Sequence, residues 1–165
     1  MIDIFNNFIF IIGAIFFYLS FESHDKNKVL IYQFISISFF TFGLYLVNVA
    51  PASLFISAIS LLQIILGYFS SKEIKEIFLK IVPLISLFTL FFLPYDFGTY
   101  LTIIGITFST FAALSHKIIN MKYFYLMSNI TWLIFDIYIK SIGAIIFDLV
   151  GMIALFIYFK KYFKL

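Results

Sequence analysis

The chain has no cysteine and no arginine, and only 12% of its 165 residues are charged. Without cysteine, disulfides and thiolate chemistry are excluded, and the redox compartment cannot be read from thiol usage. So little charge excludes a soluble domain of this length, which would need far more polar surface around its core. Enzymatic constellations are missing too: there is no H-E-x-x-H, no metal-ligand cluster and no Gly-rich phosphate loop. An intramembrane aspartyl protease would need its acids in family motifs, and Ile146-Phe147 before Asp148 is not the G-x-G context. No enzymatic activity and no cofactor are expected.

Apolar residues fill the space instead. They make up 64% of the chain, with a mean hydropathy of +1.12. Seven apolar stretches can be cut, at about 3–21, 29–47, 52–70, 77–93, 99–115, 121–139 and 143–159. Each has about the length that crosses a hydrocarbon core of roughly 30 Å. The runs are continuous, whereas a barrel strand would alternate, so helices are the spanning element. The first stretch does not read as a cleaved signal, because Asp3 is its only charge and no basic segment precedes it. The fold expected is all-α, a polytopic membrane protein with seven transmembrane helices.

Lysine placement decides between six and seven spans. Lys80 and Pro83 interrupt the fourth stretch. If that stretch spans, Lys26, Lys28, Lys72, Lys75, Lys80, Lys117, Lys122, Lys160, Lys161 and Lys164 share one side. Only Lys140 then lies on the other. Cytoplasmic loops are enriched in lysine, so this division predicts seven spans, with the N-terminus outside and the C-terminus cytoplasmic. Lys80 is expected to snorkel to the interface beside Glu73 and Glu76. A net charge of +3 spread over loops and tail does not point to nucleic acid. All-lysine basicity, with abundant Ile, Phe, Tyr and Asn, suggests an AT-rich bacterial genome.

The second half repeats the first. Ile11-Ile12-Gly13 with Ser23-His24 recurs as Ile103-Ile104-Gly105 with Ser115-His116, an offset of 92. Ser38, Thr41, Ile56, Tyr68 and Phe69 match Ser128, Thr131, Ile146, Tyr158 and Phe159 at an offset of 90. Two three-helix units separated by one linker helix share an orientation. This predicts parallel three-helix bundles over 3–70 and 99–159, joined by a linker at 77–93.

The residues able to carry chemistry are few. Asp136 and Asp148 lie inside apolar stretches, where carboxylates are costly and mark function by default. Asp148 sits seven residues beyond Ser141, roughly 10 Å below the outer end at 1.5 Å per residue. The plainer alternative is a structural hydrogen bond to a neighbouring helix. For Asp136 the alternative is an ion pair with Lys140 at i+4. Trp132 lies one turn before Asp136, with Asn129 and Ser128 a turn earlier; it lines a cavity or anchors an interface. At offset 90 its counterpart is Phe42. A one-residue shift puts Ser53, Ser57 and Ser60 on Ala144, Asp148 and Gly151, and close helix packing explains most of that stripe. His24 and His116 are of the residue type suited to pH sensing, but the repeat suffices to explain them.

From Gly105 onward the chain resembles the YgjV family of bacterial inner membrane proteins. The resemblance is carried by Trp132 with Asp136 four on, Ser141-Ile142-Gly143, the acid Asp148, and Lys160-Lys161. The first half is similar more loosely, through its length, the Pro51-Ala52 turn and the charged first loop. A more distant likeness is to the sugar-transporting SWEET proteins and the related PQ-loop and PnuC-type transporters. Those have three plus one plus three helices and an external N-terminus. In SWEETs, a Trp in the second helix of a repeat and an Asn in the third line the substrate cavity. Trp132 and Asp148 are spaced for those places, with Phe42 and Ser57 as the first-repeat pair. Asp replaces Asn, and no Pro-Gln motif stands in the first or fifth helix, so sugar specificity is not implied. A carboxylate suits a cation or a coupled proton better. The expectation is transport of a small solute by alternating access, with Trp132 and Phe42 stacking on it and Asp148 and Ser57 hydrogen-bonding it. The alternative is a non-transporting assembly or sensor protein. Expected partners are membrane lipid, the solute with its proton or cation, and a second copy of the chain as a homo-oligomer.

Overall fold

The computed structural model describes residues 2–46, 51–88 and 97–163. Among these there are seven helices and no strands: α1 (Ile2–Glu22), α2 (Lys26–Leu46), α3 (Pro51–Phe69), α4 (Lys72–Phe88), α5 (Phe97–Leu114), α6 (Ile118–Tyr138) and α7 (Ile142–Phe163). Residues 47–50 before Pro51 and residues 89–93 of the fourth apolar stretch lie outside the described residues.

Local chemistry fixes the helix starts. Asp25 caps α2, its Oδ1 accepting the Asn27 N–H at 2.8 Å and the Lys28 N–H at 3.3 Å. Pro51 opens α3 at the position where its missing N–H costs nothing. Ser71 accepts the Ile74 N–H at 3.4 Å, and Glu73 in the first turn complements the α4 dipole. These signals start α4 at Lys72, five residues before its apolar run begins at 77, because a capped polar turn extends the helix beyond the apolar segment. The turn from α6 to α7 is made by Lys140 in a left-handed conformation, φ 58°.

Helix pairing follows a reciprocal plan. α1 packs on α2 and α5 on α6; α2 packs on α3 and α6 on α7. The third helix of each half then crosses to the first helix of the other, α7 against α1 and α3 against α5, while α4 packs on α5. The core lies where α1, α6 and α7 meet. Phe17 stacks on Phe147 at 4.3 Å and edges Phe21 at 4.9 Å, and Phe21 meets the Tyr125 ring at 5.5 Å. Outward, α1 presents Phe8, Ile11, Ile15 and Leu19 along one exposed stripe. Such a stripe is suited to lipid rather than water. Among the described residues, α5 and α7 are long and apolar enough to cross a membrane, and Phe8–Glu22 and Ser57–Phe69 are apolar but shorter.

Matching hydrogen bonds adjust the repeat alignment inside the second helices. Ser36 Oγ donates to the Gly13 carbonyl at 2.8 Å, and Ser128 Oγ to the Gly105 carbonyl at 3.2 Å. Both pairs are related by 92, so Ser128 corresponds to Ser36 rather than Ser38. Trp132 then corresponds to Phe40, not Phe42. Phe40 packs inward against Phe147 at 4.7 Å, whereas Phe42 is 48% exposed.

Candidate functional site

The α6–α7 seam carries the acids. Asp136 on α6 and Asp148 on α7 are both buried, and their carboxyls face one another, each acting on the other's charge. Asp136 makes no ion pair with Lys140, which is exposed; the expected i,i+4 alternative is absent. Its backbone carbonyl instead accepts the Ser141 N–H at 2.9 Å, closing the turn into α7. Two carboxylates facing each other away from water repel. A proton held between them, or a cation bridging them, removes that repulsion.

The polar groups around the acids are incompletely satisfied. Asp148 Oδ2, Asn129 Nδ2 and Tyr125 Oη are the buried side-chain polar atoms without a hydrogen-bond partner among the described residues. Asn129 is pressed against α7: a Cβ on Gly151 would lie 2.7 Å from its Nδ2 and would collide with the edge of the Phe17 ring. Glycine at 151 is therefore what lets the Asn129 amide and Phe17 approach the α7 backbone, one turn from Asp148. Each unpaired buried group costs about 1–3 kcal/mol. A seam with only a packing role would have had these groups replaced or paired.

The other expected residues are distributed differently. Trp132 turns toward α5, where a Cβ on Gly105 would lie 2.8 Å from its indole, and its ring edges Phe135 at 5.6 Å. Ser57 is buried on α3, and Phe42 faces outward on α2. The structure thus brings together Asp136 and Asp148, with Asn129 of α6 against Gly151, one turn along α7 from Asp148, and puts Phe42 on an outer face. Among the described residues, no group of three or more His, Cys, Asp or Glu side chains could hold a metal ion.

One residue absent from the sequence-derived set is Lys122. Read as a loop charge, it is fully buried. Its ammonium donates to the Phe21 carbonyl at 2.5 Å and the Ser23 carbonyl at 2.6 Å, and lies 3.2 Å from the centroid of the Tyr158 ring. A signal existed. Offset 92, continued past the Ser-His pair, sets Lys122 on Leu30, also fully buried, and a lysine replacing a core leucine must find partners.

An all-helical bundle with lipid-suited outer faces, two buried acids and two helices long and apolar enough to cross a bilayer points to the membrane proteins. The model of a family described as bacterial inner membrane protein, YgjV, matches residues 4–164, and the chain belongs to that family. No curated protein and no solved structure matches the chain.

Proposed function

We propose that this protein carries a small solute across the bacterial inner membrane by rocking two parallel three-helix units, α1–α3 and α5–α7, joined by α4. The site is the seam formed by Asp136, Asp148 and Asn129, with Trp132 beside it. The observation that carries this reading is the buried, mutually facing acid pair whose Asp148 Oδ2 has no partner. Reciprocal packing of α7 on α1 and α3 on α5 supports it, since each unit holds the other through equivalent helices.

All seven helices cross the membrane in this reading. The ends at Glu22, Lys26, Phe69, Lys72, Leu114, Ile118 and Phe163 face the cytoplasm, because they carry all lysines but Lys140. Facing acids suit a coupled proton or a cation. Transport therefore draws on the charge state of the pair.

The rival reading, a non-transporting assembly or sensor protein, draws on one specific feature: Asp148 is closely packed against a neighbouring helix rather than open to solvent. The two separate on Asp148→Asn, which keeps size and hydrogen bonding but cannot ionise. Solutes found by a thermal-shift screen are assayed for uptake into proteoliposomes under an imposed pH gradient. Asp148→Asn is expected to fold normally and lose the gradient dependence. An unchanged pH profile in this variant leaves the acid pair with a packing role and removes the coupling mechanism.

A further inference from the structure

The unpartnered polar atoms form a file. Along α7 the buried face runs from Asp148 through Gly151 and Ala154 to Tyr158, ten residues or roughly 15 Å at 1.5 Å per residue. Along α6 the Asn129 amide lies against Gly151, and one turn further on is the Tyr125 hydroxyl. One turn beyond Tyr125 stands Lys122, where the file reaches the lysine-rich end of the bundle. Three helices are fastened there. Lys122 of α6 caps the last carbonyls of α1 and lies over Tyr158 of α7. Lys161 of α7 pairs with Glu22 of α1 at 2.9 Å. The His24 ring packs on Tyr158 at 5.1 Å.

We propose that this cluster, centred on Lys122, is a gate that closes the lysine-rich end of the α1–α6–α7 junction over the acid pair. Its parts suit that work. A buried ammonium held by two carbonyls and an aromatic face is stable while all three helices are together. Once α1 and α7 part, water replaces those partners at little net cost, so the contact breaks as a unit. The Glu22–Lys161 pair at the rim is half-exposed and contributes little holding energy of its own. The equivalent corner, where α2, α3 and α5 meet, has Leu30 in place of Lys122. Among the described residues the two corners are therefore joined differently, one by a buried lysine and the other by the neutral Gln63–Thr110 bond between α3 and α5. The inference rests on the α6–α7 seam being the site, but not on the identity of any solute.

The absence of cysteine makes the test direct. Ala154, fully buried on α7 between the acids and Tyr158, is replaced by cysteine, and its rate of reaction with a water-soluble maleimide is followed on the purified full chain. With Lys122 present, labelling is expected to be slow. Lys122→Leu, which installs the residue of the equivalent corner, should accelerate it by about tenfold or more, the loss of a charge-assisted hydrogen bond. Should Lys122→Leu fail to fold, Lys161→Glu, at an exposed position, carries the test. It sets two acids against each other at the rim, should raise labelling severalfold, and should be reversed by adding Glu22→Lys. Labelling unchanged by the folded variants makes Lys122 a static helix cap and overturns the gate. Faster labelling, together with a pH profile of uptake unaltered by Asp148→Asn, keeps the gate and retires the coupling role of the acids.

Discussion

The two crossing seams use the same helix pairing and differ in their chemistry. Where α3 meets α5, Gln63 is satisfied from several sides: its amide donates to Thr110 Oγ1 at 2.6 Å and toward the Ile106 carbonyl at 3.5 Å, and its Oε1 accepts from Ser109 at 3.0 Å. Where α7 meets α1 and α6, the polar groups are Asp148, Asn129 and Tyr125, each with an atom unpaired. A neutral, closed network rigidifies the helices it joins. An open one lowers stability and is retained where the groups serve something other than packing. In the proposed transport cycle the α3–α5 seam is the fixed contact and the α1–α6–α7 junction the moving one.

Methyl groups inserted at the two seams test that contrast most severely. On Gly67 a Cβ would lie 2.5 Å from the Ala113 backbone carbonyl, whereas on Gly151 the obstacles are the Phe17 and Asn129 side chains. Gly67→Ala and Gly151→Ala should each destabilise the protein by about 1–3 kcal/mol. Gly67→Ala should cost more, because a helix backbone must shift rather than a side chain. Thermal unfolding in detergent gives the order, and a larger cost at Gly151 would make the α1–α6–α7 junction the stiffer one.

Removal of the polar groups should have opposite signs in the two places. Gln63→Leu breaks satisfied hydrogen bonds and should cost about 1 kcal/mol. Asp148→Asn removes an ionisable group facing another acid and should leave the melting temperature unchanged or raised. If Asp148→Asn melts earlier than Gln63→Leu, the acid belongs to a closed network after all, and the contrast between the seams fails.

The smallest effects lie at the lysine-rich end and respond oppositely to pH. Lys161 beside Glu22 holds that carboxyl below its ordinary value of 4.5. Its contribution is fully present above about 4.5 and is lost as pH falls through the lowered value. Glu22→Gln should therefore lower the melting temperature at neutral pH, with the deficit closing in acid. Lys26 behaves the other way. Burial, with Lys75 nearby, lowers its pKa from 10.5 to about 8. Between these values the unfolded chain binds the extra proton, so stability rises with pH across that window. Lys26→Gln should be stabilising at pH 7 and lose its advantage as pH climbs toward 10.5. Parallel pH responses for the two variants would mean that this end does not distinguish its two sides.

Helix number was legible in the sequence because apolar runs are a local property. The start of α4 was not, because the cap at Ser71 carries the helix five residues beyond its apolar run. That Asp148 stands apart was legible too, since an acid in an apolar run is costly, and the structure buries it in the bundle. Its pairing with Asp136 was not. Which faces of α6 and α7 meet depends on how far the chain rotates at Lys140, and its left-handed φ leaves no mark that spacing reveals. Phe42 shows a different limit. In a chain rich in Ser and Phe, identities align equally well two residues out of register, and only the Ser36–Gly13 and Ser128–Gly105 bonds decide the matter. Lys122 was hidden by its type, since a lysine near a helix start reads as solvated until its carbonyl partners are seen.

Trp132 is the single tryptophan of the chain, and its indole rests on Gly105 of the neighbouring helix, one turn from Asp136. The molecule therefore carries a native optical probe beside its acids. Excited to the red of the eleven tyrosines, that one indole emits against an α5 backbone with no side chain between. Any slide of α5 over α6 changes the polarity and quenching it experiences. Emission colour and lifetime can be followed during solute addition or a pH jump, with no label introduced and no residue replaced.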